Sequence, residues 1–350
     1  MPSLALDPAL LAIPTVSANE EQIAGAIGTL TTIAEKLRSG SDCNFFLLSE
    51  ASGYLAAADL FPVPFSISKM LADFNLTHVY TAEDIRRAVI DVLQRVNRLE
   101  ELSSIEFMIP TSFTSSPDVV GSRTGSLREA LELTLLHIAF STRTRHASLA
   151  QALIADNLVR REISIIADVE DIDPALQPGH VTTMAQFKAS VWSSSSVETF
   201  LAELAPEIIW QHAIGDAQLA LAIKIAAREI RRVSGCSDPD RKCDRFSIGA
   251  HFFDSLKRWG ASADGKLASS TLESCARVVA RMPKSEINRF FRPSGQRNKT
   301  EDITRSSDRA EAWRTHVSKD HEAIRLMFWR KSDGSIEFAN IGAKSELEIL

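Results

Sequence analysis

Cysteine is scarce in this chain, and long apolar runs are missing altogether. Four cysteines in 350 residues are too few for the disulfide scaffold of a small secreted domain. No apolar run approaches the ~20 residues that cross a bilayer, which argues against a membrane protein. Residues 1–7 lack the basic flank and the apolar run of a secretory signal. The sequence therefore predicts a cytoplasmic protein with no membrane contact.

Several motifs that are diagnostic of a particular reaction are also absent. The chain has no Gly-x-x-x-x-Gly-Lys phosphate loop, no Gly-x-Gly-x-x-Gly fingerprint, no His-Glu-x-x-His zinc helix and no Gly-x-Ser-x-Gly elbow. ATPase, dehydrogenase, zincin and lipase functions thus lose their usual support, and no cofactor is predicted. The set Cys236, Cys243, His251 and Cys275 has no Cys-x2-Cys knuckle of the kind that clamps tetrahedral zinc, so whether it binds metal stays open.

What is abundant is helical periodicity. Apolar steps of three and four, together with capping boxes at Thr81 and Ser126, predict helices over 20–37, 81–96, 127–140, 147–158, 197–233, 246–259, 270–282 and 308–316. Short β-branched or apolar runs predict strands at 45–48, 105–110, 161–170, 324–330 and 335–341. The expected fold class is α+β, predominantly helical, with a few short strands and a C-terminal β-hairpin module.

Composition divides the chain into three expected domains. Residues 1–192 read as a mixed α/β domain, and the serine run 193–196 as a linker. Residues 197–285 form a helical domain in this scheme, and 286–350 a basic α+β module. The module contains a hairpin over 324–341, because Asp333-Gly334 supplies the positive φ that a tight hairpin turn requires.

Charge is distributed very unevenly along the chain. The window 277–331 holds fourteen Lys and Arg against seven acids, a surplus of seven positive charges. Since the whole chain has a formal charge of −6, the remainder carries −13. Cations that neutralise phosphates, interleaved with aromatic rings that stack on unpaired bases, suit RNA or single-stranded DNA better than duplex. The predicted nucleic-acid-binding residues are Arg289, Arg292, Arg297, Lys299, Arg305, Arg309, Trp313, Trp329 and Arg330.

The same module contains groups that could cleave RNA without a metal. Such cleavage needs a base for the 2′-hydroxyl, an acid for the leaving oxygen and cations on the phosphorane. His316, His321 and Lys344 are the candidates for proton transfer, and Arg314 and Arg325 for charge stabilisation. The other histidines are isolated along the sequence and read as structural or solvated. A solvated basic flank with both tryptophans in a core is the structural alternative.

Two resemblances bear on this module. Arg309 to His316 and Arg314 to His321 each resemble the Arg-x4-6-His signature of HEPN ribonucleases. The longer segment Ala312-Trp-Arg-Thr-His-Val through Ile-Arg-Leu-Met-Phe-Trp-Arg to Ala343-Lys looks like the core of RelE/ParE-type toxins, over about forty residues. That resemblance implies a metal-independent ribonuclease or a gyrase-binding module that uses Arg314, Arg325 and Lys344.

Two other functions stay open. The chain could be a non-enzymatic subunit of a larger assembly, such as a bacterial anti-phage system, with the acidic N-terminal region docking a protein partner. It could also be a metal-dependent nuclease, because Asp168-Val-Glu-Asp-Ile-Asp173 is the densest group of acids near a predicted strand end. Our first hypothesis remains a nucleic-acid-binding protein with a C-terminal ribonuclease site.

Overall fold

A computed structural model of the chain has an α+β fold, as predicted. The described residues are 2–12, 19–39, 42–143, 146, 149–155, 161–174, 182–239, 243, 245–263, 265–293, 300–318, 323–346 and 348–350. They form eleven α-helices and fourteen strands. Among these helices none is both long enough and apolar enough to cross a bilayer. The chain divides into two compact units, Pro2–Glu203 and Leu204–Leu350.

The N-terminal unit is built on a seven-stranded mixed sheet with strand order β3-β2-β1-β5-β7-β6-β4. Its strands are β1 Ser3–Leu6, β2 Asn44–Leu47, β3 Asn97–Arg98, β4 Ile105–Ser116, β5 Ala150–Leu153, β6 Arg161–Pro174 and β7 Thr182–Ser194. The first five strands in the spatial order run parallel, whereas β6 pairs antiparallel with both β7 and β4. Parallel strands need covered faces, which the helices of this unit supply.

Seven helices belong to this unit: α1 Glu20–Ser39, α2 Ala51–Ala57, α3 Pro64–Asp73, α4 Ala82–Arg95, α5 Leu99–Ser103, α6 Gly125–Ser141 and α7 Val197–Glu203. The capping prediction at Thr81 is confirmed, because its hydroxyl accepts a hydrogen bond from the Asp84 amide at 3.1 Å. Helix α6 is buried on all sides over its second half, residues 133–141. A helix that is apolar all round belongs in the middle of a core.

Asp7 lies at the carboxyl end of β1 and is completely buried. Its Oδ1 accepts hydrogen bonds from the Ala9 amide at 3.0 Å and Arg123 Nη1 at 2.7 Å. Its Oδ2 accepts from the Ala155 amide at 3.0 Å and lies 2.6 Å from Arg123 Nη2. Strand order reverses here, between β1 and β5, which is where open α/β sheets bind ligands. In this chain both oxygens of the Asp7 carboxylate are already hydrogen-bonded within the protein, so the Asp7–Arg123 ion pair acts as a structural clamp.

His137 of α6 is a buried titratable group, 3% exposed, and its Nδ1 lies 2.7 Å from the Ser103 hydroxyl. Burial lowers the pKa of His137 to about 4, against a partial upward effect of the Glu100 charge. The imidazole is therefore neutral in the folded protein at neutral pH.

Stability is expected to fall on acidification because of His137. Its folded pKa lies below the unfolded value of about 6.5, so between pH 6.5 and pH 4 the unfolded state binds the extra proton. The free energy of unfolding should drop by up to about 1.4 kcal/mol per pH unit in this window. Urea unfolding of the full chain at pH 7, 6 and 5 measures this. The variant His137→Gln should flatten the dependence, and an unchanged slope would contradict the assignment.

The C-terminal unit has a five-stranded sheet with strand order β8-β14-β13-β12-β9 and a separate hairpin β10-β11. The strands are β8 Phe246–Ile248, β9 Asn288–Arg289, β10 Phe291–Pro293, β11 Thr300–Asp302, β12 Glu311–His316, β13 Ile324–Arg330 and β14 Ile336–Ala343. The helices are α8 Pro206–Gln211, α9 Asp216–Val233, α10 Phe252–Arg258 and α11 Ala268–Ala280. The predicted hairpin over 324–341 is confirmed as β13 and β14.

Several predicted elements differ from the structure. Residues 147–158 were expected to be helical, yet β5 lies there, because this short apolar segment pairs with β1 on one side and β7 on the other. The expected helix 308–316 is strand β12, which follows the left-handed residue Arg309 and pairs along β13. The segment 246–259 opens with β8 before α10 begins.

Other differences concern ends and boundaries. The Ser126 hydroxyl does not cap α6 but donates to the Tyr54 carbonyl oxygen at 2.9 Å. Strand β4 extends to Ser116, beyond the predicted strand end at residue 110, and strand β7 was not predicted. The helices after residue 204 and the C-terminal strands, expected in separate domains, belong to one unit, since α10 packs on β14 and α11 on β13.

Candidate nucleic-acid interface

The two faces of the C-terminal sheet have different roles. On one face, Phe328 and Phe338 pack together, with their ring centroids 6.4 Å apart. Phe252 of α10 covers this pair, and its ring centroid lies 5.6 Å from that of Phe338. The opposite face carries Met327 and Trp329 in a small cluster of buried side chains. We call this second surface the Trp329 face. Met327 and Trp329 share this face because alternate residues of a strand point to the same side.

Arg314, His316 and Arg325 come together at one end of the Trp329 face. In the antiparallel register of β12 and β13, Arg314 lies opposite Met327, and His316 lies opposite Arg325. Directly opposed residues point to the same side of a sheet, with Cβ atoms about 5 Å apart. Arg314 also lies over the Phe290 ring, its guanidinium carbon 5.0 Å from the centroid. Three of the five predicted catalytic residues are thus neighbours.

The Arg314 and Arg325 guanidiniums have no counter-ion in the part of the chain that the structure describes. The Nε atoms of both are buried and make no hydrogen bond there. Burial lowers the pKa of Arg314, and the positive charge of Arg325 lowers it further. Two like charges held close together in a partly desolvated place cost free energy unless an anion joins them. We call Arg314 and Arg325 the arginine pair.

Two other predicted cations are neutralised within the module. Arg289 pairs with Asp302 at 2.5 Å and with Glu311 at 3.0 Å. Arg305 forms ion pairs with Asp308, at 2.6 Å, and with Glu337. These acids raise the pKa of Arg305, and Arg305 in turn lowers the pKa of Glu337 and of Asp308. Two of the predicted nucleic-acid-binding cations are therefore already paired with acids of the same unit.

The two predicted aromatic residues are not open stacking surfaces. Trp329 is 5% exposed, and its indole N–H donates to the Leu350 carbonyl oxygen at 3.3 Å. Trp313 lies beneath two guanidiniums, those of Arg289 at 5.5 Å and Arg330 at 5.8 Å from its ring centroid. Cation–π contact of this kind occupies the ring. The structural alternative, with Trp329 in a core, describes this residue better than base stacking.

The remaining predicted residues lie elsewhere. Arg309, Arg330 and Lys344 are exposed. Lys344 directly follows Ala343, which pairs with Ile324, so it lies at the same end of the sheet as Arg325. Arg292 lies in β10, and nothing is described of its side chain. Arg297, Lys299 and His321 lie outside the described residues.

Comparison with known proteins adds no assignment to this geometry. No protein family, curated protein or solved structure matches the chain. The likeness of residues 309–346 to RelE/ParE toxins, and of the Arg-to-His spacings to HEPN ribonucleases, stays a prediction. Any function must therefore be argued from the side chains themselves.

The described part of the chain gives little support to a metal site. No group of three or more His, Cys, Asp or Glu side chains there is arranged to hold a metal ion. Asp168 accepts hydrogen bonds from the Gln186 amide at 2.6 Å and the Ser112 hydroxyl at 2.7 Å, and these lower its pKa. Cys275 is completely buried, which raises the pKa of its thiol. The side chains of Asp171 and Asp173 lie outside the described residues.

A cleft that sequence reasoning missed lies beside α11. It lies between α11, the segment after α11 and the end of β12, with a volume of about 420 Å³. Its polar lining consists of Ser270, Glu273, Ser274, Lys284, Ser285 and His316. Thr315 points to the face opposite Arg314, and its hydroxyl donates to the Glu286 carbonyl oxygen at 3.2 Å in the segment after α11, so the cleft lies across the sheet from the arginine pair. The serines lie on a helix that periodicity predicted, but nothing local in the sequence brings them to β12.

Proposed function

We propose that the C-terminal unit binds nucleic acid by placing the arginine pair on backbone phosphates. The observation that carries this proposal is that Arg314 and Arg325 are close together and have no acid partner among the described residues, whereas Arg289 and Arg305 do. A guanidinium presents a planar fork of donors that matches a phosphate. A bound phosphate would supply the missing counter-charge.

The exposed cations around the pair support an extended ligand over a small anion. Lys344 lies at the same end of the sheet, and the exposed Arg309 and Arg330 add charge to the module. A strand of nucleic acid offers a row of phosphates to such groups, and its binding releases condensed counter-ions. The predicted partner is RNA or single-stranded DNA.

Salt dependence tests this function directly. Binding of a fluorescein-labelled 12-nucleotide single-stranded RNA is measured by anisotropy from 50 to 300 mM KCl. For Arg314→Ala the slope of log K against log salt should become shallower by about 0.7, the value for one phosphate contact on a single strand. The matched control is Arg258→Ala, an exposed arginine of α10 outside the basic window. Equal slopes and affinities for wild type and Arg314→Ala would overturn the proposal.

A second function, RNA cleavage without a metal, is favoured by the position of His316. Its imidazole belongs to a residue paired directly with Arg325, so a base or acid and a cation stand side by side. His316 can take a proton from a 2′-hydroxyl as its oxygen attacks phosphorus, while Arg325 offsets the negative charge on the non-bridging oxygens and the departing 5′-oxygen takes a proton from water.

Cleavage is tested by incubating the same RNA with the full chain in 5 mM EDTA. We expect EDTA-resistant cleavage that falls by about 100-fold or more in His316→Asn, the usual contribution of a general base. Binding should survive this substitution. Binding without any cleavage in the wild type would reject the nuclease and favour a non-catalytic subunit of a larger assembly.

A further inference from the structure

The arginine pair presents two guanidiniums to one place on the Trp329 face. Arg314 lies opposite Met327 and Arg325 opposite His316, so the two arginines are diagonal neighbours across β12 and β13. Diagonal neighbours lie about 7 to 8 Å apart, within reach of long side chains. Each arginine is half-buried, and its Nε has no hydrogen-bond partner in the part of the chain that the structure describes. One bound anion can therefore contact both.

A carboxylate borders the pair on the side of β14. Gly342 of β14 lies directly opposite Arg325. A Cβ placed on Gly342 would lie 3.0 Å from Met327 Cε and 3.0 Å from Glu346 Oε2, so the Glu346 side chain lies over Gly342 on the Trp329 face. Arg325 has no acid partner among the described residues, so the Glu346 carboxylate borders the pair without neutralising it.

A buried cluster borders the pair along β13. Met327 and Trp329 pack there with Ile349, and Ile303 lies against them. The indole N–H of Trp329 also donates to the Leu350 carbonyl oxygen at 3.3 Å. The last residues of the chain thus cover the Trp329 face beyond the arginine pair.

These two borders favour the end of a strand over its middle. A phosphodiester within a strand has a neighbouring phosphate on each side, so a strand held there must continue in two directions. Towards β14 a neighbouring phosphate would meet the Glu346 carboxylate, and like charges repel. Along β13 it would meet the buried cluster. A strand that ends on the arginine pair continues in one direction only.

The charge of the pair points the same way. An internal phosphodiester carries one negative charge and offers two non-bridging oxygens, whereas two guanidiniums carry two positive charges. A terminal phosphomonoester carries a charge close to −2 at pH 7 and offers three acceptor oxygens. Two planar forks of donors can share those three oxygens. The terminal group therefore matches the pair in charge and in hydrogen-bonding capacity.

We propose that Arg314 and Arg325 together bind the terminal phosphomonoester of a nucleic-acid strand, and that Glu346 disfavours a phosphate beyond it. This inference rests on the proposed nucleic-acid-binding function and specifies its substrate as a phosphorylated strand end. The 5′ and 3′ ends can carry the same group. One additional charge-assisted hydrogen bond corresponds to about tenfold to hundredfold tighter binding.

The experiment compares three single-stranded RNAs of one 12-nucleotide sequence, each with an internal fluorescein label. One has a 5′-phosphate, one a 3′-phosphate and one hydroxyls at both ends. By anisotropy at pH 7.5, wild-type protein should bind at least one phosphorylated probe about tenfold or more tightly than the hydroxyl probe. The preferred probe identifies the end. Arg314→Ala should remove the preference, and the control Arg258→Ala, on exposed α10, should keep it.

Glu346→Gln tests the border. Removing its charge should strengthen binding of the hydroxyl probe more than that of the phosphorylated probe, and so narrow the preference. The matched control is Glu348→Gln, an exposed acid two residues further along, which should leave the preference as it is in wild type. A ratio unchanged in Glu346→Gln would contradict the role assigned to Glu346.

The outcomes separate the two proposals. If wild type binds all three probes equally and Arg314→Ala weakens them all, end recognition is overturned and phosphate binding stands. A preference that survives Arg314→Ala also overturns end recognition by the pair. If no probe binds, or if Arg314→Ala binds all three as well as wild type does, the proposed function itself fails. A preference lost in Arg314→Ala and kept in Arg258→Ala supports both.

Discussion

Replacing Arg314 and Arg325 together by methionine is expected to abolish most RNA binding without destabilising the protein. Each charge-assisted hydrogen bond to a phosphate contributes about 1.5 to 3 kcal/mol, so losing two contacts lowers affinity by about 100-fold or more. Methionine keeps a long, flexible side chain that can pack on the Phe290 ring, over which the Arg314 guanidinium lies. It also removes two like charges that have no described acid partner.

The melting temperature of the double variant is the more discriminating measurement. If the arginine pair served the fold, its loss would lower the melting temperature, as breaking a buried ion pair does. An anion site predicts the reverse, a melting temperature equal to or above that of wild type in dilute buffer. The same RNA should raise the melting temperature of the wild type and leave the double variant unchanged. A destabilised double variant that still binds RNA would contradict the assignment.

Asp7→Ala is expected to have the largest effect on stability of any single substitution considered. The change removes four hydrogen bonds at the centre of the N-terminal sheet and leaves the Arg123 guanidinium, 10% exposed, without its carboxylate. Breaking a buried pair by removing one partner costs about 3 to 5 kcal/mol. Urea unfolding of the full chain at pH 7 measures the loss.

A matched control is Asp73→Ala, at the exposed end of α3. Substitution there should change the free energy of unfolding by no more than about 0.5 kcal/mol. The double variant Asp7→Ala/Arg123→Met should recover part of the loss, because the orphaned charge is gone. A single variant as stable as wild type would show that Asp7 is not the clamp that its four hydrogen bonds imply.

Local signals in the sequence predicted local structure well. The stripe in 20–37, the cap at Thr81 and the Asp333-Gly334 turn each correspond to an element, because each depends on neighbours within a few residues. Elements whose secondary structure depends on partners far away in the sequence were predicted wrongly. Strand β5 has four residues, all buried, and only its pairing with β1 and β7 makes it a strand. Periodicity carries no such information.

The candidate site shows the same limit. Alternate residues of β13 share a face, so the period of the strand brings Arg325 to the side of Met327 and Trp329, next to Arg314 of β12. The sequence could not tell which cations are neutralised. Arg305 pairs with Glu337, which lies more than thirty residues away along the chain, and the charge count treated both as free. Only the three-dimensional structure shows which cations have an acid partner.

The central pairing of the N-terminal sheet has a consequence for how the chain folds. Ser3 of β1 pairs with Ala150 of β5, while its other neighbour, Asn44 of β2, arrives much earlier in the sequence. Pairing across so wide a separation must close a long loop, which slows folding. During synthesis, the edge of β1 that pairs with β5 stays unpaired until β5 has emerged from the ribosome. Newly made chains should depend on chaperones until then, and a ribosome-stalled chain of 145 residues should be protease-sensitive where one of 240 is protected.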